Sequence, residues 1–463
     1  MLKLLPVHTA NITGDTASTG IVEYASRLSK TQQRQDSRVV GRFLSNCPSA
    51  TIETPRTWLD VYTADRGPEE MMRDFTKHNE QHMRDLLKSE ATAHNAQVVL
   101  VPNLGGRTGF QISPKLLEDY PNVVISHEFS RLNDEQKRIR LQQLMAADSV
   151  LFTTDSERKN TIQAMQETVS TQASRELEEK SSLYPVPANI TPDGEIPPIS
   201  QRSRKDIVVF GMIKKDKGLE TLPDIALAMK NDPDFQNREI HVMGTVLSQG
   251  GNGHKILQDY LIPAIYPGVL VDDLHGLNAE ETIRLVKILE SKATVPPQDS
   301  LSENLNSVLS KIGVRSGEIP AFERKIPIYL HLNQTDAEIS QALKSNLYSF
   351  LTMPRGATDH SGTLAASMAH HMITFTKRNE TETSPYLSNG SVNLLGVPED
   401  IISAIKSHES QAEQDSSFET EMIAKGDKYR EARSWDTLAD HLNSLIRLSV
   451  QSREPAKVLV MQS

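Results

Sequence analysis

Short apolar runs alternate with longer amphipathic stretches along most of this chain. Runs of four to eight apolar residues bounded by turn residues read as buried strands, and a 3.6-residue apolar period reads as helix. The first run, residues 2–8, is a strand. A polar loop over 9–19 follows, and Gly20 opens an amphipathic helix through Ile21, Tyr24, Ala25 and Leu28. Further strands are predicted over 38–44, 58–62, 97–102, 122–129, 149–154 and 183–186. Helices are predicted over 68–94, over 133–147 with Asn133 as N-cap, and from Asp155 to about Gln172. Residues 187–204 carry Pro and Ser and read as a linker.

The alternation then restarts. Strand 206–210, loop 211–218 and helix 219–229 lead to strand 239–243, which ends at Gly244. A Gly-rich loop over 246–254 precedes a helix. Residues 276–324 read as two helices joined by a Pro-Pro linker, and they interrupt the pattern as an insertion. Strand 326–332, helix 336–343, strand 392–395 and helix 399–407 follow, and residues 418–448 are mostly helical with Trp435 inside. Two βαβ halves predict an α/β protein of two doubly wound lobes with parallel sheets. The cleft between the lobes is the default ligand site.

The most informative stretch is 349–376, a strand, a loop and a helix that lead into the next strand. Pro354, Gly356 and Asp359 make the loop, and Ser361-Gly362-Thr363 starts the helix with Ser361 as N-cap. Ala365, Ala366, Ser367 and Ala369 keep that helix slim enough to lie close to a sheet or a ligand. A helix N-terminus after a strand's C-terminal end presents unpaired N–H groups and partial positive charge to phosphate. His370 and His371 end the helix, and they read as packing or capping groups, since no third metal ligand accompanies them.

Composition narrows the class. The 463 residues are 37% hydrophobic, and the net charge of −10 argues against a nucleic-acid partner. The single cysteine, Cys47, excludes a disulfide framework and a multi-cysteine zinc site. No apolar run is long enough for a transmembrane segment, and residues 1–7 are too short for a cleaved signal. The expectation is a soluble cytoplasmic protein, with any export following a signal-independent route. The loop at Gly20 lacks G-x-G-x-x-G spacing, and 105–109 lacks the G-K-[ST] ending of a P-loop.

Several segments, in one order, resemble the retaining GT-B glycosyltransferases of the family 4 (group 1) type. Phe210-Gly-Met-Ile-Lys-Lys-Asp-Lys-Gly218 resembles their F-G…K-G strand and loop, and Ile240-His-Val-Met-Gly244 their next strand. Residues 332–343 are similar to the nucleotide-side strand and helix, and 349–376 to the donor-phosphate loop and helix. Val124-Ile-Ser-His-Glu128, residues 148–157, residues 184–190 and Arg433-Ser-Trp-Asp-Thr-Leu-Ala439 resemble four further family segments. The resemblance covers roughly residues 1–450 and implies the GT-B fold: two Rossmann-like lobes, a helical insertion at 276–324 and a C-terminal helix crossing back to the first lobe. The implied domains are 1–200, 205–430 and 431–463.

The resemblance implies a hexosyltransferase that uses a nucleotide-sugar, GDP-mannose or a UDP-hexose, with no tightly bound cofactor and no metal. The acceptor is not named, and a protein is among the candidates. Lys217 is the implied diphosphate ligand, with Lys214 or Lys215 replacing the basic residue whose position Met212 occupies. Gly20, Gly211, Gly244, Asn333, Arg355, Ser361, Gly362 and Thr363 complete the expected donor site. His127 or Glu128 is expected at the transferred sugar or the acceptor. Two glutamates common in the family fall on Thr358 and Ala366, which leaves Asp359 as the nearest acid. A non-catalytic GT-B scaffold that binds a partner and a nucleotide-sugar epimerase remain open as alternatives.

Overall fold

The computed structural model describes residues 3–9, 38–39, 41–45, 59–63, 98–101, 114–126, 129–214, 217–246, 253–290 (except 268 and 270), 311, 323–358, 361–379, 387, 389–431 and 433–453. The chain forms two compact units, Met1–Asn189 with Ala432–Ser463, and Ile190–Glu431. Each is built on one parallel sheet. Among the described residues, no helix is long and apolar enough to cross a membrane.

The first sheet contains β1 (Lys3–Thr9), β2 (Arg38–Val39), β3 (Gly41–Ser45), β4 (Leu59–Thr63), β5 (Val98–Val101), β6 (Asn122–Ser126), β7 (Ser149–Phe152) and β8 (Ser181–Leu183). Its order is β4-β3-β1-β5-β6-β7-β8, with β2 on β1. Strands β5, β6 and β7 are buried along their whole length, which explains their unbroken apolar runs. The helix Trp435–Arg453 closes one face. Leu438, Leu442, Leu445 and Ile446 recur at helical spacing and pack on Val98, Leu100, Val123, Ile125 and Leu151. Burying each such leucine contributes roughly 1.5–3 kcal/mol. Trp435 Nε1 donates to Ala188 O at 2.9 Å, and the Tyr184 hydroxyl donates to Ser434 O at 2.7 Å, so both aromatic groups have their polar ends satisfied.

Two expectations shift here. The helix predicted to reach Gln172 ends at Thr168, and a second helix, Thr171–Glu179, follows. Ser170 separates them, and its hydroxyl accepts from Ala173 N as the new N-cap. Trp435 is the first residue of its helix rather than an interior one, because a separate helix, Phe418–Glu431, precedes it.

The second sheet contains β9 (Ser203–Met212), β10 (Glu239–Thr245), β11 (Ile328–Leu332), β12 (Asn346–Leu351), β13 (Ile373–Lys377) and β14 (Asn393–Leu395). All its pairings are parallel, in the order β11-β10-β9-β12-β13-β14. The chain therefore steps from β9 through β10 to β11, then crosses to the other side of β9 for β12. That reversal is a topological switch point, where the loops leaving two neighbouring strands diverge and open a crevice. The helix Gly362–Ala369 bridges β12 to β13, buried from Leu364 to Ala369. Its small residues let it approach the sheet: Ser367 lies 3.2 Å from Ser349 Oγ, which is also 3.0 Å from Thr374 Oγ1. Of the predicted insertion at 276–324, the helix Ala279–Glu290 is described, with Leu285 and Val286 in the core.

Candidate functional site

An open crevice sits at the switch point, at the C-terminal ends of β9 and β12. Phe210, Gly211 and Met212 line one side, Leu351, Thr352 and Met353 the other, and Lys217 and Thr363 complete it. Two glycines let these walls approach. Gly211 has φ +124°, and a Cβ there would come within 3.3 Å of Thr363 Oγ1. Gly218 has φ +70°, and a Cβ would lie 2.1 Å from Thr352 O, a backbone atom that cannot yield. Gly218 thus fits only without a side chain, which pins the turn carrying Lys217 against the end of β12.

The turn is fastened from both directions. Lys217 N donates to Lys214 O at 3.0 Å, and the Thr352 hydroxyl donates to Lys217 O. The Lys217 ammonium lies 3.9 Å from Met353 Sδ, a soft contact that keeps it on the crevice wall. On the helix side, Ser361 is the N-cap, and its hydroxyl accepts from Leu364 N at 3.1 Å. Its amide donates to Thr358 O at 2.9 Å. Gly362 and Thr363 are the first helical residues, so their N–H groups have no intrahelical acceptor. No carboxylate lies among the described residues that line the crevice, so a lysine and a helix N-terminus set its polarity.

Gly211, Lys217 and Thr363 therefore come together from the expected donor set, with Ser361 and Gly362 adjacent. Lys214 sits three residues before Lys217 in the same turn, half-buried and outside the lining. Gly244 and Asn333 lie at the neighbouring strand ends, outside the lining. Asn333 N donates to Gly244 O at 2.8 Å, and its side-chain oxygen accepts from Val246 N at 3.0 Å. Asn333 holds φ +55°, a conformation that Asn tolerates better than most residues. A Cβ on Gly244 would meet Ile213 Cγ1 at 2.4 Å, so this glycine makes room for a core isoleucine. Arg355 is exposed on the turn after β12 and is not a lining residue. Gly20, His127, Glu128, Lys215 and Asp359 lie outside the described residues.

Thr352 was not among the expected site residues, although its hydroxyl holds the lysine turn and its carbonyl leaves no room for a side chain at position 218. A polar residue closing the apolar run Leu347–Leu351 is the signal that marks it. His370 and His371 behave as packing groups. His370 is fully buried between Ala366 O and Ser340 Oγ, each 2.8 Å away. Burial pushes its pKa down to about 4, with Arg202, Lys344 and His371 adding to the shift and the Ala366 hydrogen bond opposing it. His371 pairs with Asp427 at 2.9 Å.

By sequence, no family model and no curated protein matches the chain. Solved structures do. The pneumococcal O-GlcNAc transferase GtfA, in complex with UDP and GlcNAc, superposes with a TM-score of 0.57 at 8% identity, over 97% of this chain and 99% of that one. The fold is the GT-B fold. A glycosyltransferase from Rickettsia africae gives 0.56 at 8% identity, over 98% and 99% of the two chains. Anabaena HepE, in complex with UDP-glucose, gives 0.53 at 12% identity, over 96% and 100%. At such identities the likeness establishes architecture, and the chemistry has to come from the crevice.

Proposed function

We propose that this protein is a glycosyltransferase that transfers a hexose from a nucleotide-sugar, with the donor diphosphate bound at the β9–β12 crevice. The observation that carries this reading is the convergence of Lys217 with the N-terminus of the helix Gly362–Ala369 at the switch point of the second sheet. Departure of the nucleotide leaves negative charge on the diphosphate. A fixed ammonium and backbone N–H groups aimed at that charge stabilise it as it develops. UDP or UDP-glucose accompanies two of the neighbours described above, which favours a UDP-hexose donor over GDP-mannose. The reaction retains anomeric configuration in this reading, with His127 or Glu128 and Asp359 placed at the sugar, and a protein is one acceptor class.

Thermal unfolding against UDP-, GDP- and ADP-sugars, with products followed by mass spectrometry, tests the proposal. A donor at about 100 times its dissociation constant stabilises by about 2.7 kcal/mol, a shift of several degrees. The expected result is a shift with a UDP-hexose and slow release of its sugar. A second reading, a GT-B scaffold that binds a partner without turnover, draws on Ala366 and Thr358. Ala366 is buried in the helix, and neither position carries the glutamate the family commonly has. A folded protein that shifts with no donor and releases no sugar favours this second reading.

A further inference from the structure

We propose that Asp206, Glu239 and His241 bind a divalent transition-metal ion, with zinc the best match, at the N-terminal end of the second sheet. The strand period of two puts Glu239 and His241 on one face of β10, and the register sets Asp206 of β9 opposite Glu239. Glu239 Oε2 lies 3.3 Å and Asp206 Oδ1 3.8 Å from His241 Nε2, and the three ligand atoms lie within 4.8 Å of one another. Tetrahedral zinc, with bonds of about 2.0–2.2 Å to nitrogen and carboxylate oxygen, separates its ligand atoms by roughly 3.3–3.6 Å. The three side chains are half-buried, which leaves an approach for the ion and a position for water as fourth ligand.

A second layer of contacts orients Asp206 and His241 toward one point. Ser203 Oγ donates to Asp206 Oδ2 at 3.0 Å, so the opposite oxygen faces the histidine. His241 Nδ1 lies 2.9 Å from His331 Nε2, which commits that nitrogen and presents Nε2 to the carboxylates. The Tyr329 ring stacks on His241 at 5.3 Å. Such partners fix ligand orientation at metal centres. The neighbouring guanidinium groups are engaged elsewhere, Arg238 with Glu409 and Arg324 with Glu290, each at 2.7 Å. One imidazole with two carboxylates suits zinc better than calcium or magnesium, which take oxygen ligands. Gly211 and Gly244 stand five strand positions away from Asp206 and Glu239. At 3.2–3.4 Å per residue, that is about 16 Å, so the ion would brace β9 against β10 without touching the donor crevice.

Chelator-stripped full-length protein, titrated with Zn²⁺ against a competing fluorescent chelator, tests the site. The expected result is one zinc per chain, lost in His241→Ala and in Asp206→Asn, and unchanged in His275→Ala, an exposed histidine paired with Asp259. His331→Ala should retain binding with about 10–100-fold lower affinity, the mark of a positioning residue. Should His241→Ala fail to fold, Glu239→Gln and the visible absorption of Co²⁺ added to the native protein carry the same test. Absence of a stoichiometric zinc in the native protein, or zinc binding indifferent to Asp206→Asn and Glu239→Gln, would overturn the proposal and leave the three side chains as an ordinary polar cluster.

Discussion

The two ends of strands β9 and β10 are built from opposite materials. At the C-terminal end, Gly218 lets its turn approach the Thr352 backbone, Gly211 and Gly244 make room for Thr363 and Ile213, and one lysine and the N–H groups of a helix supply the polarity. At the N-terminal end, side chains carry the charge. Asp206, Glu239 and His241 face one another there. Arg204 forms a forked pair with Glu419, which also contacts the buried His408 at 3.1 Å. Burial alone would raise the Glu419 pKa, but its hydrogen bonds to His408 and Arg204 outweigh that and hold it down at about 2. A parallel sheet explains the division. All strands deliver their following helices' N-termini to one end, so that end suits anions, while the other end must compensate its charges with side chains.

Substituting the backbone end should cost most. Gly218→Ala forces a Cβ into Thr352 O and keeps a left-handed φ. We expect a loss of about 3–4 kcal/mol and a fall of about 10 °C in Tm by calorimetry, together with loss of donor binding. At the C-terminal end of the helix Gly362–Ala369, His370 tests the side-chain regime. Its folded pKa of about 4 lies below the ordinary 6.5, so the unfolded chain binds its proton first. Its contribution is complete above pH 6.5 and is lost as pH falls toward 4, by about 3 kcal/mol in all. Denaturant titrations across that window should show the slope, and His370→Gln should flatten it.

The remaining two variants sharpen the contrast. Lys217→Ala removes the charge and only a partly buried side-chain stem. Turnover of the donor should fall about 100-fold or more while Tm moves by only a few degrees. Asn333→Ala should do the reverse, costing about 1–2 kcal/mol of stability through the lost bond to Val246 N and the positive φ. Its donor affinity should stay near the native value. A large loss of affinity in Asn333→Ala with unchanged stability would erase the distinction between framework and binding groups.

How much of this the sequence disclosed follows from the range of each interaction. The strands of the second sheet and the helix from Gly362 were legible because apolar runs, turn residues and an N-cap are local signals. So was the slimness of that helix, whose Ala and Ser residues announce close packing. Thr352 was not singled out, because its role depends on Lys217 lying across a strand junction rather than on its own neighbours. Asn333 read as a donor ligand because its side chain follows a strand end. Its engagement with Val246 is visible only once β10 and β11 are paired. The Ser170 cap was hidden inside an apparently continuous amphipathic pattern. The triad at Asp206 was invisible for the strongest reason: its members lie on two strands, and only the register brings them opposite.

The most direct test of the donor crevice compares UDP with uridine by titration calorimetry, on the native protein and on Lys217→Ala. If the diphosphate sits against Lys217 and the helix N-terminus, UDP should bind at least tenfold more tightly than uridine, and the variant should remove most of that gap. Equal affinities in the native protein, or a gap that survives Lys217→Ala intact, would contradict the assignment of the crevice as the diphosphate site.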